Sequence, residues 1–169
     1  TAADRIPPVI TLTGPETITL TLNEPYIELG ATATDDVDVS VTVTTSGTVD
    51  TSIAATYTVA YNATDTAGNA ASQITRSVSV ISLYTIGGTL TGLNGGSVVL
   101  QQSGGDDLQL AVDGIFDFTT AVIDGAAYRV SVLIQPAGQA CTVSSPSGTV
   151  AANDISSVGV NCIAVGAIT

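Results

Sequence analysis

Apolar and polar residues alternate along most of this chain. Ile18, Leu20 and Leu22 are separated by threonines, and residues 57–62 alternate in the same way. An alternation with period two places large apolar side chains on one face of a strand and small or polar ones on the other. No segment carries a helical period of useful length. The pattern therefore predicts an all-β protein.

The first half of the chain is divided into short strands by turn residues such as Gly14-Pro15 and Gly47. About seven short strands at a spacing of roughly 8–12 residues are typical of an antiparallel β-sandwich. After residues 57–62, the segment Asp65-Thr-Ala-Gly-Asn69 predicts a tight loop, because Gly and Asn tolerate positive φ. The predicted strands are residues 9–13, 17–22, 26–34, 39–43, 48–50, 57–62 and 74–80.

The second half has the same character and follows almost without a linker, since only Ser82-Leu83 intervene. Asn94-Gly95-Gly96 predicts a hairpin turn. Tyr128, Val130, Val132 and Ile134 are predicted to share one face of a strand. We therefore expect two tandem antiparallel β-sandwiches, residues 1–82 and 83–169, held end to end with little freedom, because two residues are too few for a flexible tether. The predicted strands are residues 84–92, 97–102, 108–112, 115–118, 128–134, 139–143, 148–150 and 155–162.

The charge of the chain narrows the choice of partners. Fifteen acidic residues stand against three arginines, with no Lys or His, which gives a net charge of −12. Nucleic acids and anionic membranes both require cationic contacts, so neither is an expected partner. No apolar run approaches the length of a bilayer span, so we expect no membrane insertion. The acidic residues form either a solvated surface or a cation-binding cluster.

Cys141 and Cys162 are the two cysteines, and each lies in a strand-like segment. Without His, two thiolates make a poor zinc site. A disulfide between the two strands is the simplest interpretation and indicates an oxidising compartment. The alternative is a pair of free, buried thiols in a reducing cytosol.

An acidic cluster is the candidate metal site. Calcium binds six to eight oxygen atoms from carboxylates, carbonyls and water. In a regular strand, alternate residues point to opposite faces, so convergence of neighbouring aspartates requires a loop. A plain acidic turn is the alternative. The candidate calcium ligands are Asp4, Asp35, Asp36, Asp38 and Asp65.

Catalysis finds little support in the sequence. The chain lacks His and Lys, so the usual bases and nucleophiles are absent. Paired carboxylates could still act as in glycosidases, but no Trp is present to line a sugar cleft. The Asp-Thr-Gly signature of aspartic proteases is missing, because Asp65-Thr66 is followed by Ala67. We expect a protein that is not an enzyme.

Four motifs of the first half together resemble the bacterial immunoglobulin-like repeats of surface and secreted proteins, of the hyalin-repeat-like type. The resemblance covers residues 4–81 and implies an Ig-like sandwich. The motifs are Asp4 with Pro7-Pro8-Val-Ile-Thr-Leu, Gly30-Ala-Thr-Ala-Thr-Asp35, Gly47-Thr-Val-Asp50, and Tyr57-Thr-Val-Ala-Tyr-Asn-Ala-Thr-Asp-Thr-Ala-Gly-Asn69.

Residues 84–163 resemble a prealbumin-like module related to collagen-adhesin B-type repeats. Some such modules carry lysine–asparagine isopeptide bonds, which are impossible in a chain without Lys. A disulfide would take the place of that crosslink. The motifs are Gly87-Gly-Thr-Leu-Thr-Gly-Leu-Asn-Gly-Gly96, Ser97-Val-Val-Leu100, Asp113-Gly-Ile-Phe-Asp-Phe118 and Gly125-Ala-Ala-Tyr-Arg-Val130.

Two functions from different classes fit these resemblances. The first is a structural building block of an extracellular or cell-surface stalk, adhesin or filament, whose partners are copies of itself or neighbouring repeats. The second is an accessory module of a secreted enzyme, which binds a glycan or a protein. A cleft lined with Tyr would favour the second. A chain that starts at Thr1 and has no Met has the look of a mature, processed or excised piece.

Two segments could complete the sheet of a neighbouring subunit, as exposed strand edges accept a further strand. These are residues 9–13 and the uncharged tail, residues 163–169. Such a tail is an aggregation risk when exposed, so we expect it to be buried. It pairs either within its own unit, or with the next repeat, or with a neighbouring subunit, and the last case would allow polymerisation by strand exchange.

Overall fold

The computed structural model describes residues 3–166 as two separate all-β units. Unit 1 is Thr1–Ile81 and unit 2 is Ser82–Thr169. The predicted boundary lies one residue further along the chain. The all-β class predicted from the alternation is confirmed, and no helix occurs among the described residues.

The described residues of unit 1 form six strands in two sheets. The strands are β1 Val9–Leu12, β2 Thr17–Thr21, β3 Ala31–Thr34, β4 Val43–Ser46, β5 Ala55–Ala63 and β6 Ile74–Ile81. One sheet pairs β1 with β3, and the other has the order β2-β6-β5-β4. All pairs are antiparallel except β2 and β6, which are parallel.

The core of unit 1 lies between these two sheets. Ile10 of β1 packs with residues of the larger sheet, including Leu20, Val59, Tyr61 and Val78. The alternation in β5 is the one the sequence predicts, because Val59, Tyr61 and Ala63 are all buried. Burial of these apolar faces is the main force that holds the two sheets together.

One predicted strand of unit 1 begins later than expected, and another is absent. Residues 39–42 precede β4 without strand pairing, and the side chain of Val39 is fully exposed. Just before them, one carboxylate oxygen of Asp35 accepts hydrogen bonds from the backbone N–H groups of Val37 and Asp38. Such an Asx-type turn competes with a ladder. Residues 48–50 also lie outside strands.

The described residues of unit 2 form ten strands. They are β7 Leu83–Tyr84, β8 Ile86–Thr91, β9 Val98–Gln102, β10 Asp106–Leu110, β11 Gly114–Asp117, β12 Val122–Ile123, β13 Ala127–Ile134, β14 Gln139–Ser144, β15 Ser147–Thr149 and β16 Ile155–Ala164. Two four-stranded sheets have the orders β10-β9-β13-β15 and β11-β8-β16-β14, and β7 pairs with β12. The pair β8–β16 is parallel.

The core of unit 2 joins the inner faces of both four-stranded sheets, with Leu90, Leu100, Val130 and Val160 almost fully buried. The predicted hairpin at Asn94-Gly95-Gly96 is wrong, because the strands on either side of it, β8 and β9, belong to different sheets. Turn chemistry specifies a sharp reversal here, but it does not specify which sheet receives the next strand.

The face predicted for β13 is also interrupted. The register with β9 shifts between Val132 and Ile134, and the side chain of Ile134 is 56% exposed. An extra residue in a strand turns the following side chains to another direction. Tyr128 and Val130, which lie before the shift, are buried as predicted.

The beginning of the predicted tail belongs to unit 2 itself. Ile163 and Ala164 end β16, where they pair with Ala140 and Gln139 of β14. The backbone N–H of Val165 donates a hydrogen bond to Gly138. Pairing within the unit is therefore confirmed for these residues, while residues 167–169 lie outside the described part of the chain.

Candidate metal centre and the buried charge network

Three of the five predicted calcium ligands come together in unit 1. Asp4, Asp35 and Asp36 each place a carboxylate oxygen within 4.8 Å of the others. Asp35 follows directly after β3, and the extended segment before Pro7-Pro8 brings Asp4 beside it. The turn that removes residues 35–38 from the sheet is what allows the aspartates to converge.

The two oxygens of Asp35 have different surroundings. Oδ2 accepts hydrogen bonds from Val37 N–H at 3.0 Å and Asp38 N–H at 3.1 Å. Oδ1 is shielded from solvent and has no hydrogen-bond partner. A buried carboxylate oxygen without a donor is unfavourable unless a cation or a proton compensates its charge. The donor set is all oxygen, which suits calcium, with water completing the coordination.

The other two predicted ligands hold a loop instead. Asp38 accepts hydrogen bonds from the backbone N–H and the hydroxyl of Thr66, at 2.7 and 2.8 Å. Asp65 accepts from the backbone N–H and the side-chain amide of Asn69, at 2.7 and 2.6 Å. Asp38 and Asp65 therefore lie outside the group formed by the other three candidate ligands.

Asp65 is buried, and its pKa reflects two opposing effects. Desolvation raises the pKa of Asp65. The hydrogen bonds from Asn69 and nearby backbone N–H groups together lower it by more, so the pKa lies below its ordinary value. Gly68 supplies the positive φ that the predicted loop requires. The loop after β5 is thus closed around a charged acceptor.

Unit 1 also contains a buried cation that the sequence analysis missed. Arg76 of β6 is fully buried, and its guanidinium donates to the Glu28 carboxylate and the Tyr61 hydroxyl, both at 2.6 Å. It also donates to the backbone carbonyls of Thr13 at 2.6 Å and Pro15 at 3.0 Å. The sequence pattern does indicate this burial. Arg76, Val78 and Val80 are alternate residues of one strand, so their side chains lie on the same face, toward the core.

Glu28 completes this network. It accepts hydrogen bonds from the hydroxyls of Tyr26 and Tyr61 and from Gly30 N–H. Desolvation raises the pKa of Glu28, but the tyrosine hydroxyls, the Gly30 N–H and the Arg76 charge lower it by more. Burial and the Glu28 charge raise the pKa of Tyr61. The network therefore holds one charged pair, fully hydrogen-bonded, and carries no free base or nucleophile.

Most of the fifteen acidic side chains have a structural partner of this kind, which neither interpretation of the net charge anticipated. In unit 2, Asp113 accepts from the N–H groups of Gly92 and Leu93, both at 2.8 Å. Asp154 accepts from Thr85 N–H at 2.7 Å. Backbone N–H groups also donate to Asp4, Glu24, Glu28, Asp35, Asp38, Asp50, Asp65, Asp106 and Asp124.

The predicted disulfide is present. Cys141 of β14 and Cys162 of β16 lie directly opposite each other in the antiparallel register, and their sulfur atoms are bonded. Both side chains are buried in the core of unit 2. The bond therefore fixes one edge strand of the sheet to its neighbour.

A Tyr-lined sugar cleft is not found among the described residues. An open cleft in unit 2 is lined by Gln101, Ser103, Arg129, Ser131 and Tyr128, but Tyr128 is only 7% exposed. Of the other four tyrosines, Tyr61 is buried and three are partly buried. None of these four tyrosines lines the cleft.

Comparison with known proteins finds a family model that matches most of unit 1. Residues 10–80 match the family model described as bacterial surface protein, Ig-like domain. No curated protein matches the chain. The match ends before unit 2, so the resemblance of unit 2 to prealbumin-like modules stays a prediction.

Among solved structures, the chain is similar to the crystal structure of a lipoprotein from Bacteroides thetaiotaomicron. The identity is 17% and the TM-score 0.40, over 73% of this chain and 60% of that one, so the chain spans less than two thirds of the lipoprotein. In the described part of the protein, no element is a helix with the length and apolarity that a membrane crossing requires. Residues 10–80 are therefore similar to the Ig-like domains of bacterial surface proteins.

Proposed function

We propose that this chain is a non-enzymatic structural building block of an extracellular bacterial stalk, adhesin or filament. The match of residues 10–80 to a bacterial surface Ig-like domain is the observation that carries the proposal. The closed cores, the disulfide and the use of acidic side chains to hold loops all favour a rigid scaffold.

The location is tested on intact cells of the source bacterium. An antibody raised against the purified chain is expected to label them without permeabilisation, and protease added outside is expected to remove the label. Labelling only after lysis would place the protein inside the cell and contradict the proposal. A cytoplasmic protein detected in parallel controls for cell integrity.

The alternative, a glycan- or protein-binding accessory module, has weaker support because the open cleft of unit 2 is lined by a single tyrosine, Tyr128, which is buried. Strand exchange is also less favoured than continuation in a longer chain, since β1 pairs with β3 and residues 163–164 pair with β14. An exchanged strand would first have to leave these partners. We therefore favour neighbouring repeats as the partners of the two units.

Calcium binding at Asp4, Asp35 and Asp36 is a second part of the proposal. The Oδ1 atom of Asp35 supports it, because a cation there would contact a buried carboxylate oxygen that has no hydrogen-bond donor. The ion would bind the lead segment to the loop after β3, so unit 1 should be stiffer and more stable with calcium.

Thermal unfolding with calcium or chelator tests this site. A ligand that binds only the folded state stabilises it by about 2.7 kcal/mol at 100 times its Kd. We expect unit 1 to melt higher in calcium, and Asp35→Asn and Asp36→Asn to remove the shift. Asp107→Asn, an exposed acid in unit 2, is the matched control. Equal melting with calcium and chelator, or a shift that survives both substitutions, would reduce the cluster to an acidic turn.

A further inference from the structure

The two units share an arrangement of strands that determines how they respond to tension. In unit 1, β2 near the N-terminal end pairs in parallel with β6, the last strand. In unit 2, β8 near the N-terminal end pairs in parallel with β16, again the last strand. The remaining pairs among the described strands are antiparallel.

Parallel pairing changes the direction in which hydrogen bonds are loaded. Tension at the two ends of a unit pulls its early strand toward that strand's N-terminus and its last strand toward the C-terminus. For parallel neighbours these pulls slide the strands past each other, so all bonds of the ladder share the load. For antiparallel neighbours the same pulls would open the ladder from one end, one bond after another.

The β2–β6 ladder of unit 1 is complete and reinforced. Ser77 N–H donates to Glu16 at one end, and Leu22 N–H donates to Ile81 at the other, both at 2.9 Å. These bonds show that the backbone N–H and C=O groups of the even-numbered residues of β2 face β6. The guanidinium of Arg76, in β6, donates to the carbonyls of Thr13 and Pro15 just before β2. The buried arginine thus ties the entrance of β2 to β6.

The β8–β16 ladder of unit 2 depends on a close approach of the two backbones. A Cβ atom added at Gly88 would lie 1.7 Å from the carbonyl oxygen of Val158, so no side chain fits there. Before the ladder, Ile155 N–H donates to Thr85 at 2.9 Å. The Cys141–Cys162 disulfide binds β16 to β14 on its other side. β16 is therefore held on both edges.

We infer that β2–β6 and β8–β16 are shear clamps, and that the chain has a load-bearing function in which each unit resists tension applied along the chain. This inference rests on the proposed structural role at the cell surface, where flow and attachment apply such tension. The test below concerns force alone, so its failure would leave the surface location intact.

Single-molecule pulling of the full chain through its ends tests the clamps. We expect one unfolding event for each unit, and the disulfide shows which event belongs to unit 2. Reduction releases the residues between Cys141 and Cys162, a separation of 21, and lengthens the unit 2 event by about 70 Å. The event that keeps its length belongs to unit 1.

Ile18→Pro and Thr19→Pro form a matched pair in β2. Proline at position 18 removes an N–H that faces β6, whereas the N–H of Thr19 points away from it on an edge strand. We expect Ile18→Pro to lower the unfolding force of unit 1 and to raise its unfolding rate about fivefold. A factor of this size corresponds to the loss of one hydrogen bond. Thr19→Pro should keep the force of the original chain, and Ile18→Ala controls for the lost side chain.

Equal forces for Ile18→Pro, Thr19→Pro and Ile18→Ala would overturn the clamp in unit 1. If Ile18→Pro does not fold, the direction of pulling decides. Thiols at Thr44→Cys and Thr64→Cys attach handles to the same end of the antiparallel β4–β5 pair, and the native cysteines are already bonded to each other. Pulling there opens the pair stepwise and should need less force than pulling through the ends. An equal or larger force would contradict shear loading.

Discussion

Unit 1 buries an arginine in its core, whereas unit 2 buries a disulfide and a pair of phenylalanines. Arg76 is satisfied by Glu28, Tyr61 and backbone carbonyls. In unit 2 the rings of Phe116 and Phe118 meet edge to face at 5.9 Å beside the bonded cysteines. Both units nevertheless pair an early strand in parallel with the last strand.

The difference shows two ways to hold the same arrangement. A buried ion pair adds little net stability but is costly to break, because the remaining partner is left charged and buried. A disulfide acts mainly by restricting the unfolded chain. Unit 1 should therefore be sensitive to single substitutions and to pH, and unit 2 to reductant.

The largest expected effect is the removal of the buried cation. Arg76→Met leaves the carbonyls of Thr13 and Pro15 without a donor, and it leaves Glu28, whose side chain is 32% exposed, without its counter-charge. We expect a cost of about 3 kcal/mol to the folding of unit 1. Chemical denaturation of the full chain, followed by probes for each unit, measures it.

Two further variants sharpen this test. Adding Glu28→Gln to Arg76→Met should recover part of the loss, because the uncompensated charge is then gone. Arg129→Met, at an exposed position of unit 2, should change stability by less than about 0.5 kcal/mol. A small loss for Arg76→Met, similar to that of Arg129→Met, would show that the network is not what holds unit 1.

The disulfide should matter only to unit 2. Closing a loop of 21 residues stabilises by about 3 kcal/mol in the chain-entropy model. Reduction, or serine at both Cys141 and Cys162, should lower the unfolding midpoint of unit 2 and leave that of unit 1 unchanged. Alkylation of the native protein without reductant, read by mass spectrometry, should find no free thiol. Two free thiols would disprove the bond.

A smaller loss is expected from a carboxylate that holds a loop. Asp113→Ala leaves the N–H groups of Gly92 and Leu93 without their acceptor, and we expect a loss of about 2 kcal/mol in unit 2. Asp117→Ala, at an exposed position four residues away, is the matched control. If both variants unfold at the same denaturant concentration, the acidic side chains are only a solvated surface.

Local patterns predicted the strands well because burial of one strand face is a local property of the sequence. Val59 and Tyr61 are buried as their alternation indicates. The failures arise where a partner far along the chain decides. Nothing near Asn94 shows that β8 and β9 enter different sheets. Val39 looked like a strand residue, but Asp35 closes a turn just before it.

The candidate site shows the same limit. The sequence identified Asp35 and Asp36, which are neighbours, and also Asp4, which lies 31 residues before Asp35. The predicted ligand set also included Asp65. Its hydrogen-bond partner Asn69 is only four residues away, so a local turn could have been inferred from the sequence. The role of Arg76 depends on Glu28, 48 residues earlier, so parity could place it inward but could not name its partner.

The smallest expected effect is a difference between the units in acid. The pKa of Glu28 is below its ordinary value in the folded chain, so the unfolded chain binds a proton more readily. Its stabilisation is therefore present above the ordinary glutamate pKa of 4.5 and is lost as pH falls through the lower folded value. Relief of repulsion among the many acidic residues opposes this loss, which is why the net effect is small.

Thermal melts between pH 6 and about 3 should resolve it. Unit 1 should lose stability below pH 4.5, and Glu28→Gln, which cannot titrate, should flatten that part of its profile. Asp65 contributes in the same direction, since its pKa is also lowered, so a residual slope is expected in the variant. A profile of Glu28→Gln that falls as steeply as that of the original chain would mean that Glu28 does not link pH to the stability of unit 1.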